Sequence, residues 1–290
     1  MIWNLGSINA DNSYRVPHLP EPGETLAATG FDCGLGGKGA NMSVAAARAA
    51  ARVMHIGAVG ADGAWAKDRL LEYGVDTQHI FVVAPATGHA NICVDPAGEN
   101  SIVLYPGANH AITEQMIGGA LAEASPGDIL LMQNETLGQQ FAAETAQTLG
   151  LRVAYAAAPF DAEAVAGLAH IADLLILNEV EAAQLLAATG QELSDLPVDD
   201  VVVTLGGDGC KWVSNKEKIT QTYAAYPADP VDTTGAGDTF TGYLLAGLDR
   251  GMDMADAIDL AMRAGALMVA RHGTADVIPD LKEILDHDFG

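Results

Sequence analysis

DILLMQNETLGQQFAAETAQTLGLRVAYAA, residues 128–157, is the stretch on which the fold turns. Asp128 to Met132 is an apolar run too short for a helix and reads as a buried strand. Leu137 to Leu149 has helical spacing and stops at Gly150, a good C-terminal signal. Val153 to Ala157 is a second apolar run, so strand, helix and strand follow one another.

The same alternation continues outward in both directions. Toward the N-terminus, Ile2 to Leu5 reads as a strand ending at Gly6, Ala40 to Ala51 as an Ala-rich helix, Arg52 to Val59 as a strand, and Asp62 to Tyr73 as a helix closed by Gly74. Toward the C-terminus, Asp173 to Leu177 is a strand, Glu179 to Ala188 a helix, and Val201 to Leu205 a strand ending on Gly206 and Gly207. Three helices close the chain, at Ala236 to Arg250, Met254 to Arg271 and Asp280 to Asp286. Such alternation predicts an α/β fold with a mostly parallel sheet covered on both faces. Ligands of such sheets bind outside the carboxyl ends of the strands. Asn9, Asp11, Glu135, Asn178, Glu181, Thr204 and Gly206 all fall just after strands.

Two stretches break the pattern. Thr25 to Cys33 and Ala90 to Tyr105 read as β segments with polar turns such as Asp95-Pro96-Ala97-Gly98, with no helix between them. They predict a small projecting sheet, either a lid over the site or a decorative hairpin. With no repeat, low-complexity tract or linker, residues 1–290 are expected to form one domain, with lid segments at about 10–36 and 86–107.

Composition bounds the function. Apolar residues are 49% and charged residues 18% of the 290, which reads as globular; aromatics are only 6%, so aliphatic residues must fill the core. Lys and Arg number 14 against 38 Asp and Glu, a net charge of −24. That surface repels nucleic acid and anionic membranes. A nucleotide site on it must rely on local donors, helix N-termini and a metal ion. Cys33, Cys93 and Cys210 are far apart and form no Cys-x-x-Cys pair. They read as small buried hydrophobes in a reducing compartment. Met1 to Asn12 lacks a signal-peptide pattern, and no apolar run approaches the roughly 20 residues of a membrane helix, so a cytoplasmic location is expected.

Five motifs carry the chemistry. In Asp232-Thr-Thr-Gly235-Ala236-Gly237-Asp238-Thr239-Phe240, small residues open a helix and leave backbone N–H groups bare for an anion. Asp238 beside that anion reads equally as a base toward an attacking hydroxyl or as a charge favouring the helix N-terminus. Gly34-Leu-Gly36-Gly37-Lys38-Gly39-Ala40-Asn41 permits close backbone approach and carries one of few cations. It matches a dinucleotide fingerprint only weakly, since no acid ends the next strand, and it is not a Walker A loop. In Gly6-Ser7-Ile8-Asn9-Ala10-Asp11, Asn9 and Asp11 point the same way in extended chain. That suits vicinal hydroxyls, although an Asx turn is the default for the hexamer alone. Asn178-Glu179-Val180-Glu181 reads by default as a helix cap, and otherwise as a phosphate and metal contact. Thr204-Leu-Gly206-Gly207-Asp208-Gly209 is a plain turn or the wall under a nucleotide.

In combination and in order, from Leu5 to Pro279, these segments resemble the PfkB/ribokinase family of carbohydrate kinases, and within it the ribokinase branch rather than the fructokinase or adenosine kinase branches. The resemblance implies a three-layer α/β/α fold with a β-sheet lid. It implies phosphoryl transfer from ATP to a sugar hydroxyl, with D-ribose at the 5-hydroxyl as the first expectation. Asn9, Asp11, Gly37, Lys38, Asn41 and Glu135 would hold sugar hydroxyls, and Ala90 would touch the sugar's apolar edge. Asn178, Thr204, Gly206 and Gly237 would bind the nucleotide, and Glu181 would reach Mg2+ through water. Gly235, Ala236 and Gly237 would form the anion hole, with Asp238 the catalytic base. Asp232, Thr234 and backbone carbonyls around 269–274 match a monovalent-cation site, usually K+. The lid implies a homodimer.

The chain departs from the family pattern in three places. Val277 stands where a side-chain hydroxyl often completes the cation site. The Glu192 to Asp200 connection is short, which would expose a sheet face or leave it to a partner. His89 and Asn91 add polar groups beside Ala90, which would shift sugar specificity. Other readings remain open: a kinase of fructose, a sugar acid or a nucleoside on the same scaffold, or a catalytically silent sugar- or nucleotide-binding protein. A nucleoside kinase would want an aromatic clamp in the lid, and only Phe31, Phe81 and Tyr105 are near.

Overall fold

A computed structural model describes residues 1–289. Its strands are β1 (Ile2–Leu5), β2 (Asn9–Arg15), β3 (Gly30–Gly36), β4 (Val53–Val59), β5 (Ile80–Val82), β6 (Gly88–Val94), β7 (Asn100–Tyr105), β8 (Ile129–Met132), β9 (Arg152–Ala156), β10 (Leu174–Asn178), β11 (Asp200–Thr204), β12 (Cys210–Ser214) and β13 (Ile219–Tyr223). Its helices are α1 (Lys38–Arg48), α2 (Ala64–Glu72), α3 (Glu114–Leu121), α4 (Gln139–Leu149), α5 (Ala162–Leu168), α6 (Glu179–Thr189), α7 (Ala236–Asp249), α8 (Met254–Met268) and α9 (Leu281–Asp286).

A nine-stranded sheet runs β13-β12-β11-β10-β9-β8-β1-β4-β5. From β11 to β5 every pairing is parallel, and β12 and β13 extend it antiparallel. Residues 128–157 supply β8, α4 and β9, with Ile129 to Met132 paired against Arg152 to Tyr155. Gly150 ends α4 in the left-handed conformation, at φ 77°.

Strands β1, β4 and β8 are buried at every residue, as in a sheet covered on both sides. Alternate side chains feed two separate cores. Ile2 and Leu131 meet Val44 of α1, Tyr243 of α7 and Ile258 of α8. Trp3, Leu5 and Leu130 meet Ile117 of α3, Ala142 of α4 and Val165 of α5 on the other face. These are the two helical layers of an α/β/α sandwich.

The smaller sheet, β3-β2-β6-β7, grows from the end of β1 and returns the chain to the start of α1. Pairing fixes its limits. β3 begins at Gly30 rather than Thr25 and runs on to Gly36, because it pairs residue by residue with Asn9 to Arg15. Every residue of β7 is exposed.

Two expectations need correction. Of the three cysteines only Cys210 is buried; Cys93 is half-buried and Cys33 is exposed. Cys33 lies in the smaller sheet, where no second layer covers it. The short 192–200 connection leaves no open sheet face. After one turn at Leu193–Asp195, Leu196 and Val198 drop onto Val201, Val203 and Val213 and are 5% and 1% exposed. Asn215 Nδ2 donates to the carbonyls of Leu193, Leu196 and Val198 and pins the loop there.

Candidate active site

The carboxyl ends of β1, β8, β10 and β11, with the N-termini of α1, α6 and α7, surround one cleft. At α7, Gly235 takes φ 73°, a left-handed turn that favours glycine. Ala236 N–H donates to Thr233 O and Thr239 N–H to Gly235 O. Among the described residues, nothing accepts from the N–H groups of Gly235, Gly237 or Asp238. They form a cradle of bare donors at the positive end of a helix.

Asp238 lies in the first turn of α7 and is only 8% exposed. Asn41 Nδ2 donates to Asp238 Oδ2 at 2.8 Å. Burial pushes the Asp238 carboxyl up to about 6, against the downward pull of Lys38 and Asn41. In turn Asp238, more than Glu135 or Glu181, raises the Lys38 ammonium. Asn41 Oδ1 is buried without a donor among the described residues.

Two adjoining hollows run through this cleft. The larger, about 740 Å³, has mostly apolar walls including Tyr226, Pro227, Phe240 and Met262, and opens onto Gly206, Ala236 and Gly237. Its volume suits a drug- or cofactor-sized molecule. The smaller, about 240 Å³, is lined by Lys38, Glu181, Gly235 and Asp238 among others. Asn178, Thr204, Thr233 and Gly237 line both, so the two are continuous. Asn178 also caps α6: its side chain accepts from Glu181 N–H and Glu181 Oε2 accepts from Asn178 N–H, each at 2.8 Å. The capping reading holds, and the same two residues line the smaller hollow.

On the other side of Asp238 lies a group of oxygens. Glu135 Oε2 accepts from Ser7 Oγ at 2.5 Å and from Lys38 N–H at 3.0 Å. Asp11 sits opposite Gly34 and Ala90 in the smaller sheet. No donor among the described residues reaches its carboxylate. Burial, then Glu135 and Asp238, lift it to about 6. A Cβ at Gly36 would lie 2.0 Å from Asp11 Oδ2, so the carboxylate occupies the space that this glycine leaves open.

The remaining expected residues divide. Gly37, at φ 92°, turns the chain into α1. Asn9 is buried and starts β2 rather than forming an Asx turn, and its Oδ1 accepts from Asn109 Nδ2 at 2.8 Å. Asp232 and Thr234 line neither hollow, and Thr234 N–H donates to Asp232 Oδ1 at 2.9 Å. Ala90 shares a face with Asp11, whereas His89 and Asn91, as its strand neighbours, point to the opposite face. There the His89 ring packs at a tilt against Tyr105, with ring centroids 5.2 Å apart, and Asn12 Nδ2 donates to Asn91 Oδ1. Their expected effect on sugar specificity is withdrawn. Residues not anticipated from the sequence are Ser7, which bonds Glu135, Asn109, whose Oδ1 accepts from Ile8 N–H, and Thr233 in both hollows.

Comparison with known proteins gives the family. The family described as pfkB family carbohydrate kinase matches residues 1–281. This chain belongs to that family. Among relatives of this kinase, ribokinase of Haemophilus influenzae is 36% identical, with 97% of this chain and 96% of the relative covered. The crystal structure of ribokinase from Cryptococcus neoformans in complex with ADP superposes with a TM-score of 0.83 at 32% identity, covering 98% of each chain. Ribokinase of Arabidopsis thaliana complexed with ribose and ATP gives a TM-score of 0.84 at 27% identity, covering 98% of this chain and 97% of that one. The kinase is thus a phosphotransferase acting on a hydroxyl group.

The ions expected of such a kinase are Mg2+ and a monovalent cation, and the donors around the cleft fit them unequally. Among the described residues no group of three or more His, Cys, Asp or Glu could hold a metal by itself. Mg2+ typically takes one or two carboxylates and completes its shell with water and substrate phosphates. Glu181 fits that part: it is half-buried, one oxygen is left after the cap, and burial raises its carboxyl against the pull of Lys38. A monovalent-cation site fits less well. Asp232 accepts N–H groups from Thr234 and Gly273, and the Val269 carbonyl already accepts two. Val277 presents methyl groups toward Gly273. A site completed by a side-chain oxygen at that position does not fit.

Proposed function

We propose that this pfkB family kinase transfers the γ-phosphoryl group of ATP to the 5-hydroxyl of D-ribose, with Asp238 as general base. The observation that carries the reading is Asp238, buried beside bare helix N–H groups and held by Asn41, between an apolar hollow and a cluster of carboxylates. The nucleoside of ATP would occupy the larger hollow, whose mostly apolar walls and volume suit it; related ribokinases form complexes with ADP and with ribose and ATP. Thr204, Gly206 and Asn178 would flank its phosphates, which would reach the N–H groups of Gly235 and Gly237. Magnesium bound to those phosphates with Glu181 would neutralise charge. Lys38 would serve both sides, its N–H fixing Glu135 and its ammonium facing the phosphoryl group.

Ribose would lie against Asp11, Glu135, Asn41 and Ala90, with Asn41 Oδ1 and Asp11 each accepting from a hydroxyl. Asn9, held by Asn109, and Gly37 would shape that pocket. Asp238 would take the 5-hydroxyl proton as the oxygen attacks the γ-phosphorus and the bond to ADP breaks, while the turn stabilises charge on the transferring group. The smaller sheet would act as the lid of a single-domain enzyme. Its exposed Ile102, Val103 and Leu104 would pack against a second copy in a homodimer. Free thiols at Cys33, Cys93 and Cys210 suit the cytoplasm. No described helix is long and apolar enough to cross a membrane.

The test is ADP release from ATP–Mg over a panel of D-ribose, fructose, sugar acids and nucleosides. Turnover led by ribose is expected. A preference for another acceptor would move the substrate, and silence over the panel would leave a binding role. Loss of a general base costs about 10²–10⁴-fold, so Asp238→Asn with near-normal turnover would remove Asp238 from the mechanism.

A further inference from the structure

Beneath the sugar side of the cleft lies a chain of polar side chains that lines neither hollow. Asn4, Ser43 and His55 are fully buried and Gln133 is 1% exposed. They come from β1, α1, β4 and the segment after β8. Asn4 and His55 stand opposite each other in neighbouring strands. Among the described residues only Gln133 Oε1 in this chain is buried without a partner; the bonds that are made hold the side chains in one arrangement, so the direction of each matters.

Every bond in the chain can be given a direction. The Gly6 carbonyl can only accept, so His55 Nε2, 3.1 Å away, carries the proton. His55 Nδ1 is then an acceptor, and the Ser43 hydroxyl donates to it at 2.8 Å. Ser43 Oγ in turn accepts from Asn4 Nδ2 at 2.8 Å. The other Asn4 Nδ2 proton goes to Gly39 O, also at 2.8 Å. Asn4 Oδ1 accepts from Gln133 Nε2 at 2.9 Å. Burial supports the neutral imidazole by pushing His55 down to about 4, against the Gly6 carbonyl. Gly57 makes room for it, since a Cβ there would lie 2.7 Å from His55 Nε2.

The ends of this chain hold the residues that surround Glu135. Gly6 precedes Ser7, Gly39 follows Lys38, and Gln133 lies two residues before Glu135. Ser7 Oγ and Lys38 N–H are the two donors to Glu135 Oε2. We infer that His55 is a positioning residue for the acceptor sugar: its Nε2–H tautomer directs the Ser43–Asn4–Gln133 chain, which sets where Ser7, Lys38 and Glu135 converge. The inference rests on the sugar-kinase reading and adds a residue that touches neither substrate.

Wild type is assayed first over the acceptor panel, and silence there defeats the proposed function rather than this inference. His55→Leu removes both ring contacts at similar volume, Ser43→Ala removes the next link without touching the ring, and His55→Gln restores a donor toward Gly6. A misplacement near 1 Å costs about 10²-fold. The kcat/KM for the sugar should therefore fall about 10- to 100-fold in the first two variants, with the KM for the sugar rising. The KM for ATP should stay within about twofold, because the lost contact belongs to one substrate. His55→Gln should recover part of the loss. Two readouts need no turnover. Nitrogen NMR of wild type should show His55 neutral and protonated at Nε2, and amide shifts in Ser43→Ala should concentrate at residues 6–7, 38–39 and 133–135 rather than at Thr204 and Gly206. An Nδ1–H tautomer, equal losses for both substrates, or a lowered melting temperature with unchanged KM values would each overturn the inference.

Discussion

Replacing Asn41 by leucine probes the base directly. The side chain keeps its shape but loses the N–H that donates to Asp238 Oδ2 at 2.8 Å. Asp238 stands at about 6, raised by burial and restrained by Lys38 and Asn41. A hydrogen bond to a charged group contributes about 1.5–3 kcal/mol. At 1.36 kcal/mol per pKa unit, its loss should lift Asp238 by roughly one to two units. A base must be ionised to work, so activity falls as pH drops through its pKa. The acid limb of kcat/KM, which reports the free enzyme, should move from about pH 6 to between about 7 and 8. Asp11 also titrates near 6 and is coupled to Asp238, so the wild-type limb holds two ionisations. Asn41 bonds only one of them, so the variant's limb should split. The assay is initial-rate ADP release at subsaturating sugar from pH 5 to 9. A uniform drop in rate with an unmoved limb would refute the reasoning, since Asn41 would then serve only the sugar.

Other expectations follow from the same geometry. Asp238→Asn should stabilise the protein at pH 7 while cutting turnover about 10²–10⁴-fold. A carboxyl raised from 3.8 to about 6 by folding contributes stability below its unfolded value and loses it as pH rises through the folded one. The gain should be about 1–3 kcal/mol in urea unfolding at pH 7 and vanish below about pH 4; a destabilised variant at pH 7 would contradict the burial argument. Gly36→Ala should raise the KM for sugar and spare that for ATP, because the new Cβ meets the Asp11 carboxylate rather than backbone; equal effects on both substrates would count against Asp11 as a sugar contact. Glu181→Gln can keep the α6 cap while removing the charge. The Mg2+ needed for half-maximal rate should rise by about tenfold or more in that variant, and an unchanged requirement would detach Glu181 from the metal.

What could be read from the sequence was whatever depends on local pattern. The β8–α4–β9 unit, the Gly150 stop and the bare turn before Asp238 each follow from neighbours in the chain, and each lies close to its expected place. What depends on register was hidden. His89 and Asn91 are adjacent to Ala90 in sequence yet face away from it, and only the pairing with β2 says which face meets Asp11. Asn109 and Asn9 are 100 residues apart, and nothing local marks Asn109 as a partner. The same holds for His55, an isolated polar residue in an apolar strand. The fate of the 192–200 connection depended on two apolar side chains, Leu196 and Val198, falling onto the sheet instead of a helix.

The close approach of Gly6 and Gly39 has a consequence for how this enzyme can diversify. A Cβ added at either would come within 2.5 Å of the other's Cα, backbone against backbone. Neither position can accept a larger residue without moving the main chain, and a change at one offers no relief to the other. The crossing of main chain between Ser7 and Lys38 is therefore closed to stepwise drift. Variation that leaves the main chain in place has to come from side chains elsewhere around the cleft.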